Sequence, residues 1–220
     1  MRPLALLPLL LMLPCTALAK SNVGGGDGGS LRPLPGQHPP VRMESEKVRI
    51  DFSHGEGYSV LVDSVFRNEG SSGVVAMGVP ENNMFAPNSS RGLADLNIRV
   101  DGRRVSTHRR VINRDGVQPP DYNILSVIRV PFRRGQRRHV RVRYRSQMWG
   151  SCGQFLVYLF AGRGWQGAVA HTSVTMVGGG GIYYSETGDG GVAAPSMPLR
   201  ERDTFRTIGG TTGFPRAPLQ

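Results

Sequence analysis

Apolar residues recur at every second position through most of the chain, and that period decides what it can fold into. Tyr58, Val60, Val62, Ser64 and Phe66 run up to the turn residues Asn68-Glu69-Gly70. Met43, Val48, Ile50 and Phe52 mark an earlier strand, and Leu96, Ile98 and Val100 a later one. The later strand ends on Asp101-Gly102, a strong short hairpin signal, with Val105 on the return. Val74 to Val79 is a short apolar strand stopped by Pro80. Ile124 to Phe132, His139 to Tyr144, Phe155 to Phe160 and Ala168 to Val177 complete the set. No window carries a capped amphipathic helix. Short strands with Gly and Pro between them predict an all-β fold, an antiparallel β-sandwich in a single domain.

The flanks differ from this core. Residues 1–19 combine Arg2, the apolar run Leu4 to Leu13 and Ala17-Leu18-Ala19, the small-residue pattern of a cleaved signal peptide. The run is too short to span a bilayer, so the sequence predicts an extracytoplasmic protein, periplasmic or secreted, cut near Ala19 and not membrane-spanning. Cys15 sits in a lipobox-like setting, but Pro14 stands where a small residue is wanted, and soluble export is favoured over a lipid anchor. Residues 20–40 hold Gly24 to Gly29 and four prolines and read as a flexible linker. The sandwich is expected over 41–177. Residues 178–220 are again rich in Gly and Pro and read as a partly disordered tail, with Phe205 and Phe214 able to dock on the core.

Several segments resemble a loose group of exported bacterial β-sandwich proteins of uncharacterised function. They are Met43-x-x-Glu46-x-Val48-x-Ile50, Phe66-Arg67-Asn68-Glu69-Gly70, Met77-Gly78-Val79-Pro80-Glu81 and Tyr158-x-x-x-Gly162-x-x-Trp165-x-Gly167. The likeness covers residues 41 to 177, and Phe160-Ala161 departs from it where a threonine is expected before the glycine. It implies a fold and a compartment, and brings no catalytic residues.

Charge is concentrated. The chain carries a formal +11, falling to +10 when Arg2 leaves with the signal. Residues 99 to 145 alone hold fourteen Arg against Asp101, Asp115 and Asp121, so the remainder is close to neutral. That 25 of the 27 basic residues are Arg fits a GC-rich genome; their clustering is a separate matter. A hairpin through Arg134-Gly135-Gln136 would set Val130 against Val140 and Arg129 against Arg141 on its outer face, with Arg143 near. Directly opposed like charges are mildly destabilising, so an acid such as Asp63 or Glu46, or an external anion, is expected to offset them. Arg99, Arg129, Arg141, Arg143 and Arg145 are therefore the candidate anion-binding residues, opposed by the plainer reading of a solvated strand face. Aromatic interleaving is thin, with Tyr144 and Trp149 the ones near Arg141, Arg143 and Arg145, which argues against base stacking and specific nucleic-acid recognition.

Other chemistry is thinly signalled. Cys152, alone once Cys15 is lost, sits in Gly150-Ser151-Cys152-Gly153; an intermolecular disulfide is the favoured use over a Cys–His enzyme with His139 or His171. His38, His54, His108, His139 and His171 lack metal-ligand spacing, and no metal, cofactor or catalytic residue is assigned. Glu44, Glu46 and Glu81 read as strand-edge and turn residues. Asn88-Ser89-Ser90 is a sequon silent in a bacterial setting. Trp165 is expected to plug the sandwich end. The resulting expectation is a non-catalytic interaction or structural module of the cell envelope, its Arg-rich face toward an anionic envelope polymer or another envelope protein. The alternative is an envelope hydrolase with a site built from scattered residues.

Overall fold

The computed structural model describes residues 28–53, 57–81, 92–112, 122, 124–147, 165–167 and 169–178, with the backbone of 183–184, 197–198 and 202–208. The described part is all-β and forms two main sheets. The seven-stranded sheet runs β13 (Arg202–Ile208), β10 (His171–Val177), β2 (Val41–Asp51), β3 (Gly57–Asn68), β9 (Arg137–Gln147), β5 (Ala94–Val100) and β6 (Arg103–Arg104). The four-stranded sheet runs β1 (Arg32–Pro33), β4 (Gly73–Pro80), β8 (Ile124–Phe132) and β7 (His108–Val111). A third, minimal pair joins β11 (Tyr183–Tyr184) to β12 (Met197–Pro198). Pairing is antiparallel except between β10 and β2, which run parallel.

The apolar alternation fills the space between the sheets. Val60, Val62 and Phe66 from β3, Val140, Val142 and Tyr144 from β9, and Ile128, Val130 and Phe132 from β8 belong to one buried cluster. Ile124–Ile128 is buried without alternation because Leu34 and Tyr122 cover Leu125 and Val127 in a second small cluster. Trp165 is the expected plug: its ring packs on Phe66 at 4.8 Å between centroids, and its Nε1 donates to the Leu31 carbonyl at 3.0 Å.

Asp101 and Gly102 both take positive φ, 48° and 81°, and set Val100 against Arg103 in the expected tight hairpin. In β2 the parity changes. A bulge between Met43 and Ser45 inserts one residue, so Val41 and Met43 face inward before it and Glu46, Val48 and Ile50 after it.

Three expectations are corrected. The linker ends earlier than residue 40: Ser30 and Leu31 are fully buried and β1 joins the sheet, because Leu31 supplies apolar surface that the glycines before it lack. The tail contributes β13, which pairs along its length with β10, Phe205 opposite Val174. The β8–β9 hairpin does not exist. Gly135 has the expected positive φ of 71°, but β8 pairs with β4 and β7 while β9 pairs with β3 and β5. The turn carries the chain from one sheet to the other, and the two apolar faces meet across the core instead of side by side.

Candidate functional site

The outer face of the seven-stranded sheet collects the basic residues in rows. Strand pairing sets Lys47, Asp63, Arg141, Arg99 and Arg104 in one line across β2, β3, β9, β5 and β6. The next line holds Arg49, Leu61, Arg143 and Asn97, and the one beyond it Asp51, Ser59, Arg145 and Ala94. Neighbouring lines are about 6.8 Å apart along a strand and neighbouring strands about 4.8 Å apart. β9 is the spine of this face. Its inward residues Val140, Val142 and Tyr144 are buried, so its alternate residues Arg137, His139, Arg141, Arg143 and Arg145 all point outward and are exposed.

Of the five candidate arginines, Arg99, Arg141, Arg143 and Arg145 share this face. Arg129 does not: it stands on β8 opposite Ala76, exposed on the other sheet, because the expected hairpin is absent. The like-charge contact falls on Arg99 and Arg141 instead, which are directly paired. Of the two acids expected to offset it, Asp63 does so. It takes Arg141 in a fork, Nε to Oδ1 at 2.7 Å and Nη2 to Oδ2 at 3.3 Å, and also meets His139 Nε2 at 3.0 Å. This bidentate hydrogen bonding holds the Arg141 pKa above its ordinary value. Glu46 does not take part, since the β2 bulge turns it into the core.

Other acids neutralise the periphery. Glu44 takes Arg137 at 2.8 and 3.2 Å, which, with Arg67 and Arg42 nearby, holds its carboxyl below the usual range against the opposing effect of burial. Asp51 pairs with Arg49, and Asp95 with Arg145. Among the described residues, Arg143 and Lys47 have no acidic partner, and Arg99 reaches only the Gly102 carbonyl at 3.2 Å. Apart from Lys47 on β2, the uncompensated charge lies toward the β9–β5–β6 side. A planar, multi-donor guanidinium there can grip phosphate, sulfate or carboxylate oxygens bidentately.

A separate open cleft of about 480 Å³ is lined by Glu81, Leu93, Leu96, Thr107, Arg109 and Ser126. Both oxygens of its carboxylate are occupied, by Ser126 Oγ at 2.6 Å and Arg109 Nε at 2.8 Å. Glu81 thus clamps β7 to β8, a structural use of the Met-Gly-Val-Pro-Glu motif. Asn68 is similar in kind. Its Nδ2 donates to the Ser71 and Arg133 carbonyls at 2.8 and 3.2 Å, tying the turn after β3 to the crossing turn at 133–136. Among the described residues no three His, Cys, Asp or Glu stand together as metal ligands, and no helix is long and apolar enough to cross a membrane. Cys15, Ala17-Leu18-Ala19, His54, Asn88-Ser89-Ser90, Trp149, Cys152, Phe155 to Phe160 and Phe214 lie outside the described residues.

No protein-family model and no curated protein matches the chain. Among solved structures it is similar to a Legionella pneumophila protein described as a "putative nutrient binding protein", at TM-score 0.57 and 16% identity, over 89% of this chain and 70% of that one. The likeness is one of fold. A two-domain M1 zinc metallopeptidase aligns over 74% of this chain and 40% of its own, at 12% identity and a TM-score of 0.30, and carries no argument.

Proposed function

We propose that the protein is an exported, non-catalytic binding module of the cell envelope that holds an anionic polymer on the outer face of its seven-stranded sheet. The observation that carries this reading is the alignment of Arg99, Arg141 and Arg143 on adjacent strands, with Arg143 lacking an acidic partner among the described residues. Cations concentrated on one face attract a polyanion, and release of its condensed counterions adds to affinity. The structural neighbour described as nutrient-binding is consistent with a binding role on this fold, and the signal-like residues 1–19 support export.

The reading is tested by titrating the chain from residue 20 onward with purified lipopolysaccharide and with polygalacturonate, beside neutral dextran, at several salt concentrations. Binding to the anionic probes should weaken steeply with salt, and dextran should not bind. Equal binding to dextran, or binding indifferent to salt, would remove the electrostatic face as the working surface.

A further inference from the structure

The β2 bulge sends an acidic side chain into the sandwich core, where the other inward residues of that strand are apolar. Glu46 is 2% exposed, and its Oε1 has no hydrogen-bond partner among the described residues. Ser30 donates to Glu46, Arg32 acts on it through charge, and Ser64 of β3 and Thr172 of β10 stand opposite it in the ladders. Arg32 is the only charged group among these, and its guanidinium also lies over the Tyr122 ring at 5.3 Å.

Ser30 and Arg32 belong to the arm, residues 28–34, which precedes the long strands. Gly28 lies so close to the Tyr144 hydroxyl that a Cβ there would fall 2.2 Å from its oxygen, and its φ of +122° also favours glycine. Leu31 is wholly buried, and its carbonyl accepts the Trp165 indole. Yet the arm's strand, β1, pairs at only two positions, Arg32 with Gly78 and Pro33 with Met77, and Pro33 has no N–H to give. By contrast, β3 is a twelve-residue strand paired on both sides.

We propose that residues 28–34 form a releasable arm latched by Glu46, seated when that carboxyl is protonated and opening when it ionises. An ionised carboxylate with one oxygen unpartnered in an apolar core needs water, and the covering element with the fewest backbone bonds gives way first. Burial pushes the Glu46 carboxyl up to about 7, against the opposing effects of Ser30 and Arg32, so the change falls near neutral pH. A carboxyl raised in this way favours the seated state below its unfolded pKa and loses that contribution as pH rises through the folded value. An open arm would uncover Leu31 and the Trp165 edge and so expose apolar surface.

The Trp165 indole N–H reports on the arm directly. The full chain from residue 20 onward, labelled with ¹⁵N-tryptophan, is titrated from pH 5.5 to 8.5, with Trp149→Phe to assign the peak. The Trp165 cross-peak should move or broaden with a midpoint near pH 7, stay fixed in Glu46→Gln, and titrate at higher pH in Arg32→Gln, which loses the cation favouring ionisation. A wild-type cross-peak unchanged over the range overturns the latch. So does a Glu46→Gln protein that titrates like wild type. Should Glu46→Gln fail to fold, an Arg32→Gln midpoint that stays in place or falls decides against it.

Discussion

Asp63 and Glu46 show how far a single carboxylate's meaning depends on which side of a strand it occupies. Asp63 faces outward and shares its oxygens between Arg141 and His139, damping the face it helps to build. Asp63→Asn should therefore tighten anion binding several-fold at low salt, read by titration with polygalacturonate. It should change stability by less than about 1 kcal/mol, because exposed ion pairs contribute little. Glu46 faces inward at a cost. Its carboxyl moves from 4.5 to about 7 on folding, equivalent to a loss on the order of 3 kcal/mol between those limits and higher pH. Urea denaturation at pH 8.5 should find Glu46→Gln more stable than wild type, with the advantage gone near pH 5. The inward alternation of β3 and β9 was legible in the sequence, since period two needs only local counting. The inward turn of Glu46 was not, because a bulge is one residue of backbone irregularity with no side-chain signature at Glu44 or Ser45.

At the scale of elements, turn chemistry was more legible than strand partnership. Asp101-Gly102 forms the hairpin its residues imply, since two successive positive φ values are tolerated there by Asp and Gly. Gly102→Val should cost about 1–3 kcal/mol, read as a lowered denaturation midpoint, because a β-branched residue is forced into the left-handed region. The segments around Gly135 carry equally good alternation, yet they cross between sheets. Matching apolar faces satisfy the same pattern whether strands lie edge to edge or face each other across the core, and no local residue distinguishes the two. That ambiguity misplaced Arg129. Trp165 joins elements remote in sequence, touching Phe66 and the Leu31 carbonyl. Trp165→Ala should cost about 3–5 kcal/mol and loosen the arm together with the sandwich end, seen as faster amide exchange at Leu31.

For the molecule as a whole, carboxyls shifted in opposite directions bracket its stability. Asp51, held down to about 2 by the Ser53 hydroxyl and amide and by Arg49, contributes above its unfolded value and loses that contribution as pH falls toward 2. Glu46 loses its contribution as pH rises through about 7. Thermal denaturation across pH should therefore show a maximum at about pH 4 to 4.5, between the unfolded values of the two carboxyls, and Glu46→Gln should flatten only the alkaline side. The fold also separates two basic surfaces that lie in one stretch of the sequence. The β9–β5 face holds Arg99, Arg141 and Arg143 together, while Arg129 stands on the other sheet. Charge-reversal variants of equal magnitude, one pair on the seven-stranded sheet and one on β8 and the turn that follows it, thus test the central claim most directly. Lipopolysaccharide binding at low salt is compared for the Arg99→Glu/Arg143→Glu double variant and for Arg129→Glu/Arg133→Glu, both folded by circular dichroism. Loss of at least tenfold in the first pair, with the second near wild type, is the predicted result; equal losses in both would mean that net charge, not a built face, governs binding.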